Sequence, residues 1–108
     1  MTNANIRHII PYMKAVLVLH DKYTRPNGNV VEMKSWKVPT AKDKPHGYKY
    51  SLVYLAKGKR IIGYDNAEGK DNHRHFKGKE GPYNFRGVTA LINDFYTDIK
   101  EFERSKQP

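Results

Sequence analysis

Residues 88–102 carry the one strongly helical pattern in the chain. Val88, Leu91, Ile92, Phe95, Ile99 and Phe102 recur at i, i+3, i+4, i+7, i+11 and i+14, which lines them along one face of an α-helix. Asp94, Asp98, Glu101 and Glu103 fall largely on the outside. Burying six such side chains contributes on the order of 10 kcal/mol before entropy. A stripe of this size needs a partner surface, and the rest of the sequence offers only short segments cut by Gly, Pro and Asn.

Those segments read as strands. Ala15–Leu19 is short, apolar and partly β-branched, which predicts a buried strand. Pro26-Asn27-Gly28 is a turn, because Gly28 accepts a positive φ at no steric cost. In Asn29–Val38 the residues Val31 and Met33 share one face, and Glu32, Lys34 and Trp36 share the other. Pro39–Gly47 reads as a basic loop. In Tyr48–Ala56 the residues Tyr48, Tyr50, Leu52 and Tyr54 oppose Lys49, Ser51, Val53 and Leu55. Lys57-Gly58 turns into a fourth strand, Lys59–Asn66.

The expected fold is α+β, a single domain over residues 1–108. A four-stranded antiparallel meander (14–66) has the C-terminal helix (88–104) packed on one face. Residues 67–82 hold several glycines and almost nothing apolar besides Phe76, and are expected to form a loop. No internal repeat stands out, and the termini, Met1–Asn5 and Arg104–Pro108, read as frayed.

Composition narrows the function classes. The 108-residue chain has no cysteine, which removes disulfides, thiolate metal sites and a cysteine nucleophile. Its net charge of +9 points to phosphate-rich or otherwise anionic partners. The first 54 residues carry +6 of that charge, so the strand-rich half is the expected anion-facing surface. No apolar run approaches the ~20 residues that span a bilayer. The start is polar and holds no signal-peptide core, so a cytoplasmic location is expected.

The sharpest chemical motif is Asp71-Asn72-His73-Arg74-His75. Two imidazoles suit phosphodiester cleavage, since one ring takes a 2′-hydroxyl proton and the other protonates the leaving oxygen. Arg74 would neutralise charge on the transition state. If the segment is extended, His73 and His75 share a face and Arg74 points away. Asp65 would orient one imidazole. A solvated His-Arg-His in a basic protein is the competing explanation. The same pair suits a metal, for which zinc would need a third ligand from His20, His46 or a carboxylate; no metal and no cofactor are assigned. Lys34 and Lys49 would face phosphates, and Tyr48, Tyr50 and Tyr54 would stack on bases or line the core. Trp36 reads as half core, half interface. Glu32 is either a base or a partner for a neighbouring lysine.

The stretches GNVVEMKSWKVP, HGYKYSLVYL, IIGYDNAEGKDNHRH and PYNFRGVTALINDFYTDI resemble the TumE-like family of toxins from toxin–antitoxin gene pairs. The resemblance spans roughly residues 14–102. Its matching positions are Gly28, Glu32, Trp36, Pro39, His46, Lys49, Tyr50, Tyr64, Asp65, Asn66, Gly69, Lys70, His73, Arg74, His75, Tyr83 and Phe85. The chain departs in one place: Asp71-Asn72 stands where the family pattern has Gly-Asp, so an amide replaces the carboxylate expected directly before His73. The resemblance implies a toxin neutralised by a helix-turn-helix antitoxin, and it brings no mechanism.

Together these readings favour a metal-independent RNA-cleaving toxin acting on translation. His73, His75, Arg74 and Asp65 form the expected catalytic set, and Lys49, Lys34, Tyr50, His46 and Tyr83 the expected substrate-binding set. RNA is the expected target, no membrane is involved, and a homodimer is one option for assembly. The rival reading is a non-catalytic nucleic-acid-binding or regulatory module.

Overall fold

The computed structural model describes residues 15–67 and 71–106. The expectations for the N-terminal residues, for Gly69 and Lys70, and for residues 107–108 lie outside the described residues.

Six strands pair antiparallel in chain order: β1 (Val16–Thr24), β2 (Val30–Lys37), β3 (Tyr48–Ala56), β4 (Lys59–Asp65), β5 (His73–Phe76) and β6 (Lys79–Pro82). One helix, α1 (Val88–Ser105), lies on one face. The fold class is the expected α+β, but the sheet has six strands rather than four. The correction falls on the segment expected to be a loop. Lys77 and Gly78 both have positive φ, 52° and 85°, and form a tight two-residue turn that lets His73–Phe76 pair with Lys79–Pro82. The segment needs no apolar face of its own, because β4 supplies the edge on which β5 pairs.

Alternation decides the two faces. Val31, Met33, Tyr50, Leu52, Tyr54, Ile62 and Tyr64 turn to the helix and meet Leu91, Phe95, Ile99 and Phe102 in the core. Glu32, Lys34, Trp36, Lys49, Ser51, Asp65, His73 and His75 alternate with them, so they point to the opposite, open face.

Two expectations about burial are corrected. The start of β1 is not a buried strand: Val16, Leu17 and Val18 are exposed, because β1 is an edge. Two helix acids also turn inward. Asp98 is buried and accepts a bidentate pair from Arg74, at 2.7 and 2.8 Å, plus the Tyr64 hydroxyl at 2.5 Å. Glu103 takes Arg25 at 2.7 and 2.8 Å and the Tyr54 hydroxyl at 2.8 Å, and the Arg25 hydrogen bonds hold its carboxyl below the usual carboxylate range. Polar anchors of this kind orient a helix that its apolar stripe alone would leave free to slide.

One irregularity positions the open face. Tyr54 pairs with Ile62 but Leu55 pairs with Arg60, so β4 carries one extra residue, Ile61. A bulge re-aims the residue beside it. Arg60, which strict alternation would send toward the helix with Ile62 and Tyr64, reaches the open face instead.

Candidate active site

The register of five strands assembles the site. Lys34 pairs with Ser51, Ser51 with Asp65, and Asp65 with His73, giving a row of side chains across the open face. The next row runs through Val53, Gly63, His75 and Glu80. Paired residues in adjacent strands bring their side chains to the same side of the sheet. From these rows Lys34, Ser51, Asp65, His73, His75 and Glu80 line a groove of about 490 Å³ that also includes Trp36, Lys49 and Arg60.

His73 sits between two oxygens. Its Nδ1 is 3.0 Å from the Asp71 carbonyl oxygen, and its Nε2 is 2.9 Å from Asp65 Oδ1. A protonated ring donates to both. His75 lies beside it, the ring centroids 5.1 Å apart. Arg60 donates from Nη2 to His75 Nδ1 at 3.1 Å. A guanidinium has no acceptor, so Nδ1 supplies the lone pair and the ring is the neutral Nε2–H tautomer. Burial first, and then the Arg60 charge, push the His75 pKa below its ordinary value. Glu80 Oε2 lies 3.5 Å from His73 Nε2 and 3.6 Å from His75 Nε2, between the rings.

Gly63 makes the Arg60 contact feasible. It pairs with His75, and a Cβ built on it would meet Arg60 Cδ at 3.0 Å. The arginine side chain therefore lies across the bare backbone of Gly63 on its way to His75.

Asp65, His73 and His75 offer ligand atoms within 4.8 Å of one another, a set able to hold a metal ion. The surroundings fit an anion better. Arg60 holds His75 in a tautomer whose Nε2 carries a proton rather than a lone pair. Three cationic side chains, Lys34, Lys49 and Arg60, line the groove against two acids, Asp65 and Glu80. A phosphate placed there gains from every one of those cations.

Among the expected site residues, the structure brings together His73, His75, Asp65, Lys34 and Lys49. It sends Arg74 to the other face, onto Asp98, where the hydrogen bonds to that carboxylate raise the pKa of the guanidinium further. Tyr50 contributes to the groove wall, but its ring is 1% exposed, stacks on Phe85 at 5.3 Å and donates its hydroxyl to Asn72 at 2.8 Å. Burial pushes that hydroxyl's pKa up. His46 packs on Phe85 at 4.2 Å, accepts the Tyr48 amide at Nδ1 and faces Asn72 Oδ1 through Nε2 at 3.2 Å. Tyr83 donates to Asp94 at 2.5 Å on the helix side, and burial with that carboxylate pushes its pKa up to about 12. Glu32 serves Lys34, at 3.6 Å, and His20, at 3.8 Å.

The departure at position 72 has a structural reading too. Asn72 Oδ1 accepts from Tyr50 and faces His46. A carboxylate there would meet the same two groups and not the paired imidazoles.

Sequence reasoning missed Arg60 and Glu80. The clue to Glu80 was a recurrence: Lys57-Gly58-Lys59 turns one hairpin, and Lys77-Gly78-Lys79 turns another. The second hairpin sets Glu80 opposite His75. Nothing in the sequence announces the bulge that redirects Arg60.

Searches of curated proteins and of solved structures returned no match. The family model described as Toxin TumE matches residues 8–103, nearly the whole chain, and the protein belongs to that toxin family.

Proposed function

We propose that this toxin cleaves RNA without a metal, in the cytoplasm, using the paired imidazoles of the open face. Family membership makes the chain the toxin of a toxin–antitoxin module, with an antitoxin as its partner; a helix-turn-helix antitoxin fits the resemblance of the sequence. The observation that carries the reading is one groove holding His73, His75, Asp65 and three cationic side chains.

The chemistry follows from the tautomers. A scissile phosphate entering the groove draws the Arg60 guanidinium onto its oxygens. His75 Nδ1 is thereby released and takes the proton of the adjacent 2′-hydroxyl. The 2′-oxygen bonds to phosphorus, and the bond from phosphorus to the 5′-oxygen breaks. His73, in its protonated form with Nε2 against Asp65 Oδ1, donates the proton that the leaving oxygen needs. Arg60 holds the negative charge of the phosphorane-like transition state, and Lys34 and Lys49 hold neighbouring phosphates of the strand. The products are a 2′,3′-cyclic phosphate and a 5′-hydroxyl.

The test is incubation of the purified toxin with RNA in the presence of a chelator. Cleavage to cyclic-phosphate ends, with DNA of the same sequence left intact, is expected. His73→Asn and His75→Asn are each expected to lower the rate by roughly 10²–10⁴-fold while the melting temperature stays near the parent's. Salt-dependent RNA binding without cleavage would replace this reading with that of a binding module. Cleavage that needs an added divalent cation would move the mechanism to Asp65, His73 and His75 as ligands.

A further inference from the structure

The aromatic side chains of the sheet are segregated, with one exception. Tyr50, Tyr54 and Tyr64 are buried on the helix face, and Tyr23 and Phe76 pack against the same core. Trp36 alone among the described aromatic residues of the sheet points to the open face. It is half-buried, it lines the groove that holds the histidines, and Lys49 Nζ lies 5.9 Å from its ring centroid. A tryptophan there adds nothing to the core beneath the helix. It places a broad flat π surface in a cationic groove.

Extending the nuclease reading, we infer that Trp36 is a base-stacking subsite, with Lys34 and Lys49 holding the flanking phosphates, so that the toxin takes a single-stranded segment of RNA. Indole–base stacking needs an unpaired base, because paired bases already have neighbours on both faces. The position sets the geometry. Trp36 lies on β2 and His73 on β5, three strand spacings apart and one side-chain repeat along the strands. That places their backbones about 16 Å from each other, more than one nucleotide step. The stacked base therefore belongs to a nucleotide beyond the scissile one, and the RNA crosses the strands rather than running along them. Binding energy gathered at Trp36 holds the strand in place while the imidazoles act on a neighbouring phosphate.

Trp36 is the only tryptophan in the chain, so its fluorescence reports on this site alone. The probe is a 2′-O-methyl oligoribonucleotide, which has no free 2′-hydroxyl and cannot be cleaved. Titration of the intact protein with this single-stranded probe is expected to change the tryptophan emission saturably. A duplex of the same sequence is expected to leave the emission unchanged. Trp36→Leu keeps bulk but loses the π face, and is expected to weaken probe binding roughly 5- to 150-fold. Trp36→Phe keeps a flat ring and is expected to restore most of the affinity, which separates stacking from a loss of folding. Saturable probe binding with unchanged emission overturns the subsite, as does equal affinity of the parent and Trp36→Leu. Since the probe is blind to cleavage, stacking on a protein that leaves RNA intact keeps this subsite and overturns only the nuclease. Cleavage without stacking does the reverse.

Discussion

Asp65 Oδ1 lies 2.9 Å from His73 Nε2, and the two residues occupy paired positions on adjacent strands. The contact is thus built into the sheet register and does not depend on a loop conformation. On the proposed nuclease reading, Asp65 is a positioning residue, acting on the substrate through His73. Asp65→Asn keeps the shape and removes the charge, and is expected to slow RNA cleavage roughly 10²-fold, the lower end of a general acid–base contribution. Asp65→Glu is expected to recover part of the rate. Melting temperatures near the parent's in both variants, with unchanged rates, would make the contact structural only.

His75 carries a pH signature. Its pKa is held below the ordinary 6.5 by burial and by Arg60. The unfolded chain therefore binds the proton at a higher pH than the native protein does. The stability linked to this group is fully present above about pH 6.5 and is lost as pH falls through the lowered native value. Arg60→Gln removes one cause, and Gly63→Ala crowds Arg60 away from the ring. Both variants are expected to raise the His75 midpoint toward 6.5 in an NMR titration. A midpoint that stays put in both would show that Arg60 does not act on the ring.

Lys34 and Lys49 are expected to contact phosphates. Replacing both with Gln is expected to weaken binding of single-stranded RNA and to reduce the slope of log K against log salt by about 1.4, two contacts' worth. An unchanged slope would move phosphate binding away from β2 and β3.

Arg74 and Phe95 are expected to act on stability. Phe95 is fully buried, and Phe95→Ala is expected to cost about 3–5 kcal/mol in chemical denaturation. Arg74→Ala strands the buried Asp98 carboxylate, and a double-mutant cycle with Asp98→Ala is expected to return a coupling of about 1–3 kcal/mol. Below its melting transition, Arg74→Ala is expected to cleave RNA at the parent's rate. A folded Arg74→Ala protein with a large loss of rate would return Arg74 to the catalytic set.

The local periods of the chain were legible without a structure. The helical stripe ending at Phe102 marked the face that docks, and the alternation through Tyr48–Ala56 separated core from open face. The two-residue spacing of His73 and His75 put both rings on one side once the segment was extended, with Arg74 opposite. These follow from each element's own geometry, which neighbouring residues alone determine. What meets those rings is a different matter. Asp65, Arg60, Glu80, Lys34 and Trp36 reach them through pairings between strands and through a single-residue bulge in β4. Lateral register depends on which edges find each other, and a bulge reverses the facing of the residues beyond it. The glycine-rich segment read as a loop because β5 and β6 hide almost nothing apolar besides Phe76; β5 is held by backbone pairing to β4 and β6 by pairing to β5, an interaction that side-chain periodicity does not report. Asp98 and Glu103 looked like solvent-facing helix acids for the same reason: their partners, Arg74 on β5 and Arg25 just past the end of β1, are distant in sequence, and only the docked helix brings each carboxylate to its guanidinium.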